Sequence, residues 1–81
     1  MEFGPYPELI ESSLCRSVEQ AGVRLRVNIV RLVTERSWSL EVVNEYGAST
    51  VWDELFPTDR DADAAFCAVL AQEGVEAFLG K

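Results

Sequence analysis

Asp59, Asp61 and Asp63 place a carboxylate at every second position of one short segment, which is how a calcium loop begins to gather its oxygen ligands. The rest of that pattern is missing. The sixth position, where the sharp turn needs glycine, is Ala64, and the twelfth, where a bidentate glutamate closes the shell, is Leu70. The acids read instead as a helix start, where carboxylates complement the positive end of the helix dipole. No metal site is expected.

Covalent chemistry fares no better. Ser12, Ser13, Ser37, Ser39, Ser49, Cys15 and Cys67 could each offer a nucleophile, but a nucleophile needs a base and a group to orient that base. The chain has no histidine for either role, and its one lysine is the terminal Lys81, so no internal amine can form a Schiff base. Asp53 and Glu54 could exchange protons if buried, yet adjacent acids at a strand end are ordinarily solvated. The expectation is a non-catalytic protein without a cofactor.

Fourteen acidic residues against seven basic ones give a net charge of -7. Binding to nucleic acid or an anionic membrane requires clustered cations, so both are excluded as partners. The acids from Asp53 to Asp63 leave one alternative function, an acidic mimic of nucleic acid that inhibits a DNA-binding enzyme. The basic residues concentrate in one hairpin, where Arg24 and Arg26 share a strand face and Glu41 and Glu45 lie on the next strand. These four form a candidate charged recognition face, or else a cross-strand charge ladder.

The elements that hold these residues follow from periodicity. Ile10, Leu14, Val18 and Ala21 fall at steps of four, four and three, which predicts a helix over about 7–21, opened by Pro7 and stopped at Gly22. Val23, Leu25, Val27 and Ile29 then alternate with polar residues, and Val30 and Leu32 take the other parity, which predicts a strand over about 23–33 with a phase slip. Trp38, Leu40 and Val42 alternate cleanly in a strand over about 37–44. A three-residue loop Glu45-Tyr46-Gly47, with Gly47 left-handed, sets Thr50 opposite Val42 and Trp52 opposite Leu40 in a third strand over about 48–53. Both tryptophans then share one face and are expected to be largely buried. Thr58 caps a second helix over about 58–73, whose apolar stripe ends at Gly74, and 75–79 form a short apolar turn.

Helix, three antiparallel strands and helix make a two-layer α+β domain of the whole chain, 1–81, with both helices on one face of the sheet. With 48% hydrophobic residues a packed core is within reach. This element order resembles the double-stranded-RNA-binding domain. That resemblance implies a fold only, because the family opens its second helix with lysines, and the matching stretch here is Thr58-Asp59-Arg60-Asp61-Ala62-Asp63.

Met1-Glu2-Phe3-Gly4-Pro5-Tyr6-Pro7 does not read as a secretory signal, and no apolar run is long enough for a membrane span, so a cytoplasmic location is expected. Cys15 and Cys67 are too few for a disulfide framework and are expected to be buried thiols. The best-supported function is protein–protein interaction or self-association through the sheet face turned away from the helices. Its candidate residues are Val27, Ile29, Val43 and Val51, with Val30 and Leu32 replacing the first two if the phase slip runs the other way. A small-ligand module, with a pocket between Trp38, Trp52 and the helices, is a further alternative.

Overall fold

The computed structural model describes residues 8–79, and Met1 to Pro7 lie outside it. The fold is α+β: a five-stranded antiparallel sheet with one helix and one 3-10 turn. The strands are β1 (Leu9–Glu11), β2 (Arg16–Gln20), β3 (Val23–Leu32), β4 (Ser39–Asn44) and β5 (Ser49–Val51). Helix α1 (Asp59–Glu73) and a 3-10 turn (Val75–Phe78) follow. Strand β3 is the spine. β4 lies along one side of it and leads to β5, while β1 and β2 share its other side.

The helix expected over 7–21 is therefore absent among the described residues, and Leu9 to Gln20 form two short strands instead. The three-strand, two-helix layout and the likeness to the double-stranded-RNA-binding domain fall with it. The apolar spacing explains the error. Steps of four put residues on one side of a helix, but they also put them on one side of a strand, because four is a multiple of two. Only the final step of three favoured a helix, and Ala21 does not continue that stripe. With Gly22 it forms the two-residue turn between Gln20 and its partner Val23, at φ values of 55° and 79°. Left-handed backbone at both central residues is the hairpin turn whose twist matches the strands it joins. Gly22 is thus a hairpin residue and not a helix stop.

β1 and β2 are separate because the chain inserts two residues between them. Glu11 pairs with Val30 and Arg16 pairs with Val27, so four residues, 12–15, span the two positions Asn28 and Ile29. The insertion satisfies its own backbone. Ser12 N–H donates to the Ile29 carbonyl at 2.9 Å, the Ile29 N–H donates to Cys15 Sγ at 3.2 Å, and the thiol donates back to the Ile29 carbonyl at 3.3 Å.

The other expected elements are present. The Asn44 N–H donates to the Ala48 carbonyl, and Gly47 at φ 90° completes the three-residue loop. Thr50 faces Val42, and the Trp52 N–H donates to the Leu40 carbonyl at 3.2 Å. Thr58 Oγ1 accepts from the Asp61 N–H at 3.0 Å, capping α1, and Gly74 ends it with its N–H on the Leu70 carbonyl.

The core lies between the sheet and the two helical elements. Leu25, Val27 and Ile29 of β3, Leu40 and Val42 of β4, and Ala62, Phe66, Val75 and Phe78 of the helical layer are buried together with Phe56. Phe66 and Phe78 meet with ring centroids 5.6 Å apart. The tryptophans flank this core and are only half-buried, contrary to expectation. Trp52 stands 6.2 Å from Phe78, and Trp38 lies under the Arg31 guanidinium at 5.2 Å. Rings this large reach from the core to its margin, where one edge stays wet.

Candidate functional site

Pleating sends alternate side chains to opposite faces. On β3 the odd positions Leu25, Val27 and Ile29 are fully buried under the helical layer. The expected interface residues Val27 and Ile29 are therefore core residues. The phase slip runs the other way, and Val30 and Leu32 belong with Arg24, Arg26 and Asn28 on the face that no described element covers.

Strand pairing fixes the rest of that face. Leu9 lies opposite Leu32, Glu11 opposite Val30, and Val30 opposite Ser39. Asn28 lies opposite Glu41 and Arg26 opposite Val43. On β4 and β5, Glu41 pairs with Val51 and Val43 with Ser49. Of the four candidate interface residues, Val43 and Val51 are on the open face: Val43 half-buried, Val51 60% exposed. Leu9, 61% exposed, joins them unforeseen from the sequence.

The apolar strip is not continuous. Arg26 Nε donates to Asn28 Oδ1 at 3.1 Å, and Asn28 Nδ2 donates to Glu41 Oε1 at 3.4 Å, so a polar chain crosses from β3 to β4 and separates Val43 from Val30. Beyond that chain a groove of about 420 Å³ opens on the face, lined by Leu9, Glu11, Val30, Ser39, Glu41 and Val51 among others. Apolar walls and two carboxylates give this part of the face both shape and charge.

The four charged candidates divide. Arg24 sits between two acids: its guanidinium reaches Glu19 of β2 at 3.7 Å, and its backbone N–H donates to Glu45 at 3.3 Å. Exposed pairs at such distances contribute little. Glu41 is bound by Asn28, and Glu45 meets the backbone of Arg24 but not its guanidinium, so among the four no cross-strand ion pair of the expected ladder forms.

A second constellation joins the strand insertion to α1. Ser12 Oγ accepts from the Leu14 N–H and donates to Asp59 Oδ2 at 2.7 Å. Arg16 meets Asp63 at 2.7 Å, donates to the Leu14 carbonyl at 2.8 Å, and lies 5.7 Å from the Phe66 ring centroid. Its hydrogen bond to Asp63 raises the guanidinium pKa above its ordinary value. Asp59, Asp63 and Cys67 are four residues apart, hence on one helix face, and the thiol is exposed rather than buried as expected. Cys15 is half-buried. Among the described residues no three acids or cysteines converge to hold a metal, and no described helix is long and apolar enough to cross a membrane.

Leu9, Glu11, Ser12 and Arg16 were hidden inside the expected helix. Ser12-Ser13 in its middle was the available warning, since serines compete with helix hydrogen bonds and favour turns. Comparison of the chain with protein-family models, with curated proteins and with solved structures finds no match in any of the three.

Proposed function

We propose that the protein works without catalysis, by binding another protein chain, a second copy included, through the open face of its sheet. One observation carries this reading: Leu9 and Val51, more than half exposed, stand with Val30, Leu32 and Val43 on one side of a sheet whose other side is packed. Apolar side chains gathered on an uncovered sheet face mark a surface that gains by being covered.

The alternatives have less support. A nucleic-acid mimic needs its carboxylates free and in rows, whereas Asp59 and Asp63 are turned back onto Ser12 and Arg16. A small-molecule site encloses most of its ligand, and the groove opens along the sheet surface.

The test compares bait proteins in affinity purification from the source cells, together with sedimentation of each. Leu9→Glu with Val51→Glu should abolish specific capture or self-association while leaving the circular dichroism spectrum unchanged. Ala68→Glu, on the exposed side of α1, should retain it. Equal capture by both variants would place the binding surface elsewhere.

A further inference from the structure

We propose that the groove on the open face takes an extended, cationic protein segment, in which two arginine or lysine side chains pair with Glu11 and Glu41. An apolar side chain between them rests on Val30, and the aliphatic stems of the two cations lie against Leu9 and Val51 on the outer sides of the acids. The proposal rests on the open-face reading above and names the partner's chemistry.

The spacing of the two acids is fixed by the sheet. Glu11 is opposite Val30 on one side of β3, and Glu41 is opposite Asn28 on the other. They are two strand spacings apart across the sheet and one same-face step apart along it. At roughly 4.8 Å per strand and about 6.8 Å per two residues, their Cα atoms lie on the order of 12 Å apart. An extended segment places side chains i, i+2 and i+4 on one face, with the outer two about 13 Å apart. Cation, apolar residue and cation at those positions therefore match Glu11, Val30 and Glu41 in turn.

Charge selects the same occupant. Among the described residues neither Glu11 nor Glu41 has an ion-pair partner, and Glu41 accepts a single long hydrogen bond from a neutral amide. The cations that share the face are engaged nearby, Arg24 with Glu19 and Arg26 Nε with Asn28. A second copy would bring another net charge of -7 against this surface, whereas a basic segment is drawn to it.

The probe is the acetylated, amidated peptide Arg-Ser-Leu-Ser-Arg, titrated into the isotope-labelled protein and followed by amide shifts in NMR. Shifts should concentrate at Leu9, Glu11, Val30, Glu41 and Val51. Glu11→Gln and Glu41→Gln should each weaken binding by about threefold, the scale of one exposed ion pair, and Val51→Ser should weaken it further. Glu73→Gln, at the far end of α1, should change nothing, and Glu-Ser-Leu-Ser-Glu should not bind. If Glu73→Gln weakens binding as much as Glu11→Gln, only overall charge is being sensed and the proposal is overturned. If the peptide fails to bind and the protein sediments as a dimer that Val51→Glu dissociates, the cationic occupant is rejected and the open-face reading stands. If the peptide fails and specific capture survives Leu9→Glu with Val51→Glu, both are rejected.

Discussion

The side-chain amide of Asn44 donates to the Phe78 carbonyl at 2.8 Å, linking the end of β4 to the C-terminal 3-10 turn. Its Oδ1 accepts from the Tyr46 and Ala48 N–H groups at 2.8 and 3.0 Å. One buried side chain thus holds the β4–β5 loop and fastens the turn that carries Phe78 into the core.

Replacing Asn44 by Ala leaves the Phe78 carbonyl and two loop N–H groups short of partners at a buried position. A loss of about 2 to 3 kcal/mol is expected, in line with the cost of unsatisfied buried polar groups. Asn44→Asp should cost at least as much, since it removes the donor and turns a carboxylate toward a carbonyl. Urea denaturation measures both, and a change below about 0.5 kcal/mol for Asn44→Ala would show that the link adds no stability beyond ordinary surface variation.

Ala21 is the one non-glycine among the described residues with a positive φ, at 55°. A left-handed conformation costs an L-residue with a Cβ roughly 1 to 2 kcal/mol, and asparagine relieves part of that through local hydrogen bonding. Ala21→Asn creates the Asn-Gly pair favoured in this turn and should stabilise the protein by about 0.5 to 1 kcal/mol. Ala21→Val should destabilise it. The reverse order of melting temperatures would refute the turn assignment.

What could be read in the sequence divides at Gly22. From Val23 onward each element carries a discriminating feature: β-branched alternation in β3, strict period two in β4, Gly47 in the loop, and Thr58 and Gly74 bounding α1. Before Gly22 the inward positions include Ser12 of the insertion and Arg16 of β2, polar because acids of α1 face them. Partners 47 positions away in the chain break the apolar alternation that would have identified the strands. The open face was legible in part, since Val43 and Val51 follow from the β4–β5 register. Leu9 and Glu11 were not legible, because placing them requires knowing that β1 exists.

The cysteines should differ in reactivity. Cys67 is exposed on α1, whereas the Cys15 thiol is half-buried and engaged with both backbone groups of Ile29. Native-state reaction with a chromogenic disulfide should label Cys67 first and Cys15 slowly, with both reacting at once in denaturant. Simultaneous labelling in the native state would mean that the strand insertion opens freely.

Arg16 is the last case, because its charge and its apolar stem can be separated. Arg16→Met keeps an unbranched apolar stem beside Phe66 and removes the pair with Asp63, the bond to the Leu14 carbonyl and the cation over the ring, and should cost about 1 to 2 kcal/mol. Arg16→Ala also removes the stem, so a further loss of about 0.5 to 1 kcal/mol is expected. The pH dependence has a definite sign. Pairing raises the guanidinium pKa above its ordinary value. From neutral pH up to the unfolded value the stabilisation is therefore complete, and it is lost only as pH climbs through the raised folded one. In a Cys67→Ser background, which removes the thiol 4.0 Å from the guanidinium, the stability difference between Arg16 and Arg16→Met should consequently be the same at pH 7 and pH 10, and should shrink in 1 M salt as the pair is screened. A difference that changes between those two pH values would show that another titrating group, and not the Arg16–Asp63 pair alone, fastens the edge of the sheet to α1.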